Sequence, residues 1–156
     1  MDADTMRGFE DFQRVWERVT VGESEKKDAR ETLEGLMAAE ERSAAFYEAL
    51  SRRCLSAAKE LKRMAEEERE HLAALRVEYY LLTGDSYAPP ESCPLVTGIL
   101  ASLRSAHEAE QRAEKSYAKA AEETDCQRLR DTYLRHAVAE RSHAGTLRSL
   151  IARALG

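Results

Sequence analysis

The sequence predicts an all-α fold, one four-helix bundle, from three observations. Charged residues make up 34% of the chain and hydrophobic residues 43%, with only three prolines, and this composition, rich in Ala, Leu, Glu, Lys and Arg, favours long amphipathic helices. Apolar residues recur three and four apart through four long segments, the spacing of a helix face. A length of 156 residues fits one domain with one core.

The first bundle helix is expected over about 25–53, with Leu33, Leu36, Met37, Ala44, Tyr47 and Leu50 on one face. The second runs over about 56–83, turning Leu61, Met64, Leu72, Leu75, Tyr79 and Leu82 inward, and Gly84 follows where a helix C-cap is wanted. The third starts near Pro94, a residue suited to a first helical turn, and reaches about Glu123. The fourth follows Thr124-Asp-Cys-Gln127, a capping-box pattern, and carries Leu129, Tyr133, Ala137, Leu147 and Leu150 towards the C-terminus. Ahead of the bundle (23–156), residues 1–22 hold a shorter amphipathic helix with Phe9, Phe12, Val15, Trp16 and Val19. Its apolar surface exceeds what a lone peripheral helix should expose, which predicts packing on the bundle or on a second subunit, most simply in a homodimer.

The breaks near Cys54 and Asp125 are so short that each flanking pair of helices must form an antiparallel hairpin. From Gly84 to Cys93, with Pro89 and Pro90, the chain is longer than such a turn needs. At roughly 3.3 Å per extended residue it could run most of a bundle's length, making helices two and three parallel. One long crossover between two hairpins is ferritin-like connectivity.

A formal net charge of -5 argues against general affinity for nucleic acid or an anionic membrane, which calls for a basic surface. The first residues show no basic region followed by an apolar run, and no stretch approaches the roughly 18 apolar residues of a membrane span. A cytoplasmic protein is expected. Cys54, Cys93 and Cys126 are odd in number and far apart, which reads as buried or idle thiols rather than a disulfide framework or metal knuckle.

Chemistry enters with polar residues on the inward faces. Glu40 lies seven before Tyr47, two turns along the apolar face, and Glu68 and His71 interrupt the stripe of Met64, Leu72 and Leu75. The second half repeats this: Glu110 lies seven before Tyr117, and Glu140 three before His143. Each Glu stands about fourteen or fifteen residues from its hairpin turn, so at about 1.5 Å rise per residue the four carboxylates meet near mid-bundle. Isolated buried carboxylates are costly, so several on one core face need a common positive partner. A metal pair supplies it. Two Glu-x-x-His pairs, each preceded by a lone core Glu, form the ligand pattern of di-iron and di-manganese carboxylate bundles.

At these residues the sequence resembles the rubrerythrin-like branch of the ferritin-like superfamily. Glu40-Glu-Arg-Ser-Ala-Ala-Phe-Tyr47 and Glu68-Arg-Glu-His71 are similar to its first- and second-helix motifs, and Glu110-Gln-Arg-Ala-Glu-Lys-Ser-Tyr117 and Glu140-Arg-Ser-His143 to its third and fourth, over about residues 25–150. The resemblance implies two iron ions, with manganese possible, bridged by Glu68 and Glu140 and capped by Glu40 with His71 and by Glu110 with His143. It also implies redox reaction with hydrogen peroxide or dioxygen. Two departures bear on this. Rubrerythrins carry a mobile carboxylate three residues after the third-helix ligand, where this chain has Ala113; Glu114 is rotated by about 100° from that position. The appended iron-binding Cys-x-x-Cys pairs common in that family are also absent, so the electron donor must be a separate molecule such as a rubredoxin.

Tyr47 and Tyr117 are the candidate catalytic side chains, able to hydrogen-bond a ligand carboxylate or donate an electron; equally, each is a core tyrosine satisfied by one hydrogen bond. His107 and His136 each precede a candidate ligand by one turn and read first as partly exposed structural histidines, otherwise as outer-shell donors or extra ligands. The acidic run Glu66-Glu67-Glu68, with Glu70, reads as a solvated face from which only Glu68 turns inward. The leading functional expectation is a di-iron oxidoreductase. The alternatives are ferroxidase-type iron handling, manganese catalase-like activity, and a non-enzymatic helical interaction module.

Overall fold

The computed structural model describes the backbone of residues 3–156 and the side chains of residues 22–156. It is all-α, with helices α1 (Ala3–Ser51), α2 (Ala58–Thr83), α3 (Ile99–Glu123) and α4 (Gln127–Leu155) and one short 3-10 turn, Leu55–Ala57. Among the described residues there is no strand, and no helix is long and apolar enough to cross a membrane. The two helices expected over 4–19 and 25–53 are continuous within α1. The expected packing of Phe9, Phe12, Val15, Trp16 and Val19 lies outside the described side chains.

α1 with α2, and α3 with α4, form hairpins whose apolar faces close on each other. One core cluster joins Tyr47, Leu50, Leu61 and Met64 to Leu103, Leu147 and Leu150, next to the first hairpin's turn. A second joins Leu33, Met37, Leu75 and Tyr79 to Tyr117, Leu129 and Tyr133, next to the second hairpin's turn. Of the residues expected inward, Leu72 and Leu82 are only half-buried. Tyr87 packs on the second cluster while Val96 belongs to the first, so the connection 84–98 passes from one cluster to the other, and α2 and α3 run in the same direction. Arg53 fastens it by donating a hydrogen bond to the Val96 carbonyl.

Two helix starts differ from expectation. α3 begins at Ile99, behind an extended Gly98, and Pro94 remains in the connection, because Val96 must turn into the core before the helix can start. At the second turn the Thr124 hydroxyl accepts from the Cys126 amide at 3.2 Å instead of forming a capping box, and the Gln127 side chain donates to Asp131 at 2.7 Å. Arg130 closes that turn, donating to the carbonyls of Thr124 at 2.6 Å and Ala121 at 3.2 Å. Cys54 is buried in the first cluster, and Cys93 and Cys126 are exposed free thiols.

Gly84 ends α2 with φ 77°, its amide bonded to the Tyr80 carbonyl at 2.8 Å. That left-handed conformation disfavours any side chain even though a Cβ would meet nothing within 4 Å. Gly145 is exposed within α4 with equal room around it. The two should therefore respond oppositely to alanine: Gly84→Ala should lower stability by about 1 kcal/mol, and Gly145→Ala should raise it by about as much. Urea unfolding of the two variants checks the pair, and equal signs would contradict this chain path at residue 84.

Candidate metal centre

Each helix delivers its share of the centre from its buried face: Glu40 from α1, Glu68 and His71 from α2, Glu110 from α3, Glu140 and His143 from α4. Glu68 and Glu140 are each 1% exposed. His71 Nδ1 stands 3.2 Å from Glu68 Oε2, 3.1 Å from Glu140 Oε1 and 3.6 Å from Glu40 Oε2. His143 Nδ1 stands 3.1 Å from Glu68 Oε1, 3.3 Å from Glu140 Oε2 and 3.7 Å from Glu110 Oε2. Glu68 and Glu140 thus each turn one oxygen to either histidine. The donors fall into two groups, Glu40, Glu68, His71, Glu140 and Glu68, Glu110, Glu140, His143, each with its donor atoms within 4.8 Å of one another. The six residues singled out in the sequence lie in one place.

The donor set fits a metal pair. Both oxygens of Glu68, Oε1 of Glu140 and Nδ1 of His71 and of His143 are buried without a hydrogen-bond partner. They lie close together but lack donor–acceptor alignment, so their lone pairs share one volume. Mixed carboxylate and imidazole donors suit iron or manganese. These same six residues could hold two ions, with Glu68 and Glu140 common to both.

The tyrosines cross between hairpins: Tyr47 of α1 donates to Glu110 of α3, and Tyr117 of α3 donates to Glu40 of α1. Burial, and then the negative charge of the carboxylate each faces, pushes both phenols well above their ordinary range. At neutral pH they are donors that fix the outer carboxylates.

Two features depart from the sequence reading. Glu67, expected in solvent, reaches His143: Nε2 and Glu67 Oε2 are 2.6 Å apart, and Arg63 holds the same carboxylate at 3.0 Å. With Nε2–H donated to Glu67, Nδ1 is the nitrogen that faces the shared volume. Nothing in the local pattern marks Glu67, because an i,i+4 pair with Arg63 is what a surface pair looks like. Second, His136 is buried rather than partly exposed, stacked on His71 with ring centroids 4.2 Å apart and meeting Tyr117 edge-on at 5.1 Å. Burial, and then the neighbouring His71, pull it down to about 4, so it is neutral. Glu114, turned away from the ligand position as its rotation on the helix implies, is tied to Arg141 at 2.6 Å and lies outside both donor groups. His107 is half-buried and outside both donor groups.

A cavity of about 760 Å³ runs between α1 and α3, lined by small residues such as Gly35, Ala39, Ala109 and Ala113, and reaches Glu40, Glu140 and both tyrosines. It is wide enough for a small oxidant.

No family model matches the chain, and no curated protein does. A solved structure of a hypothetical protein from Pyrococcus furiosus is similar, with a TM-score of 0.72 and 26% identity over 80% of this chain and 88% of that one. This likeness supports the helical fold. It names no activity, and none of the comparisons indicates a rubrerythrin-like family.

Protons stand in for metal when the centre holds none. Burial raises Glu40, and Glu68 and Glu140 beside it add to this; burial likewise lifts Glu110 to about 8. Burial also opposes the charge of Glu68 and Glu140, but the facing His143 and His71 rings outweigh it and hold both below the usual carboxylate range. For His71 and His143, burial lowers and the facing carboxylates raise; the carboxylates win, carrying His71 to about 12 and His143 higher. Near neutral pH the metal-free centre therefore holds protons on Glu110, His71 and His143, and burial pushes Glu40 the same way, so bound ions must displace them. Calorimetry in buffers of different ionisation enthalpy should count about three or more protons released per two ions bound, and affinity should rise with pH through the neutral range because Glu110 at about 8 and His71 at about 12 lie above 7. Release of one proton or none would contradict this protonation pattern.

Proposed function

We propose that this chain is a di-metal carboxylate protein, di-iron by preference, that reduces hydrogen peroxide or dioxygen in a rubrerythrin-like oxidoreductase role. One observation carries the reading: two four-donor groups that share Glu68 and Glu140, with both Glu68 oxygens, Glu140 Oε1 and the Nδ1 atoms of His71 and His143 buried without a hydrogen-bond partner. Four carboxylates also balance two divalent cations, which makes so deep a site reasonable. Two ferrous ions would supply two electrons together to an O–O bond, so that hydrogen peroxide with two electrons and two protons yields two waters.

The chain's own part is positional. Glu68 and Glu140 set the spacing of the pair, Tyr47 and Tyr117 fix the outer carboxylates, and Glu67 fixes the histidine tautomer at His143. The cavity between α1 and α3 admits the oxidant. The electron donor in this reading is a separate protein such as a rubredoxin. Three free thiols fit a reducing compartment such as the cytoplasm. Manganese would occupy the same donors and turn the reading towards catalase-like chemistry.

The reconstituted protein should bind about two iron ions per chain, and changing Glu68 and Glu140 together to Ala should abolish paired binding. In anaerobic stopped-flow mixing, the reduced protein should consume about one hydrogen peroxide per metal pair and react faster with peroxide than with dioxygen. With Ala113 where a mobile carboxylate is expected, turnover should be slower than in a typical rubrerythrin. Faster oxidation by dioxygen, with ferric iron accumulating beyond about two ions per chain, would make iron handling the better reading. No bound metal at all would leave an interaction module.

A further inference from the structure

The two halves of the centre are not equivalent, and the difference lies in two side chains. Glu68 and Glu140 are 72 residues apart, as are His71 and His143. On that offset His136 of α4 corresponds to Met64 of α2, and Glu67 of α2 corresponds to Ala139 of α4. One histidine, His143, is backed by a carboxylate at 2.6 Å. The other, His71, is backed by an imidazole, with His136 stacked on it at 4.2 Å.

His136 is 6% exposed and its Nδ1 has no hydrogen-bond partner. One of its ring nitrogens lies within 4.8 Å of donor atoms of both Glu40 and His71, forming a third potential metal-binding group at the same end of the centre. Stacking on His71 and the edge of Tyr117 accommodate the faces of the ring and give Nδ1 no hydrogen-bond partner. A buried ring nitrogen without a partner is costly. No hydrogen bond holds Nδ1, so a modest rotation of the ring can bring a lone pair to an ion held by Glu40 and His71.

We propose that His136 is a metal ligand, joining Glu40 and His71 on one of the two ions and making the pair chemically unequal. This rests on the paired-metal reading above and adds to it. The ion on the His71 side takes two neutral imidazoles, while the ion on the His143 side takes one imidazole whose basicity the Glu67 carboxylate raises.

The test uses the full chain loaded anaerobically with Co(II) alone. Anomalous diffraction from crystals of the loaded protein should place a His136 ring nitrogen about 2.1 Å from one ion, near ordinary imidazole–metal distances. In solution, a Co(II) titration followed by visible absorption should show His136→Met, which installs the side chain found at Met64, weakening one of two binding steps by at least about tenfold and sparing the other. His107→Gln should leave both steps unchanged. Thermal unfolding of the metal-free variants establishes that they fold, and the wild-type crystals stand independently should His136→Met not fold. Two bound ions with His136 farther than about 3 Å from both overturn this proposal while the six-residue site stands. Unchanged titration in a folded His136→Met, or equal weakening in His107→Gln, overturns it too. No bound ion at Glu68 and Glu140 overturns both readings together.

Discussion

Four carboxylates buried at one level of the bundle are the constraint on which the rest of the structure depends. Two unit charges about 4 Å apart repel by about 4 kcal/mol at an effective dielectric near 20. Glu40, Glu68, Glu110 and Glu140 therefore cannot all be ionised there unaided. Among the described residues, no Lys or Arg stands within 4.0 Å of any of them; their charged neighbours are His71 and His143. Without metal, Glu68 and Glu140 face the two histidine rings while burial pushes Glu40 and Glu110 towards their protonated forms. Two divalent ions would instead balance four ionised carboxylates.

That balance explains why the hairpins meet as they do. Contact between hairpins is concentrated in two clusters flanking the centre, and the centre itself is spanned by the crossed bonds from Tyr47 to Glu110 and from Tyr117 to Glu40. The two tyrosines follow their own helix's glutamate by seven residues, so the same spacing that lines up the ligand lines up the brace for the opposite hairpin. Between α1 and α3, small residues keep the helix faces from closing fully, and the cavity survives beside rigid donors. On the α2 and α4 side, Arg153 with Glu60 at 2.8 Å and Arg128 with Glu78 at 2.8 Å tie the two helices near their ends.

Much of this was legible from residue spacing. Helical periodicity and short breaks identified the four helices, and Gly84 was placed correctly because a left-handed C-cap has a strong residue preference. The six donors were legible because each violates an apolar stripe, and a violation at the same depth in four helices has few explanations. What escaped were features set by tertiary neighbours. Ile99 as the start of α3 depends on Val96 reaching the core, and the Thr124 turn was claimed by Arg130 from the next helix rather than by a local box. Glu67 and His136 lie a fraction of a turn from the ligand stripe, and only the angle between α2 and α4 decides whether such side chains reach the centre or solvent.

Those two residues also show where the symmetry of the pattern stops being informative. The repeat of Glu-x-x-His predicts two like metal positions, because spacing carries only the donors that recur. The distinction between the positions resides in non-recurring residues: Glu67 against Ala139, and His136 against Met64. A negative group behind one imidazole strengthens it as a donor, whereas a neutral imidazole beside the other adds a possible donor without adding charge. Were two ions held there, they would meet unequal surroundings and would not be interchangeable. The near-repeat aligns the six donor residues, and its two exceptions make the two ends of the centre unlike.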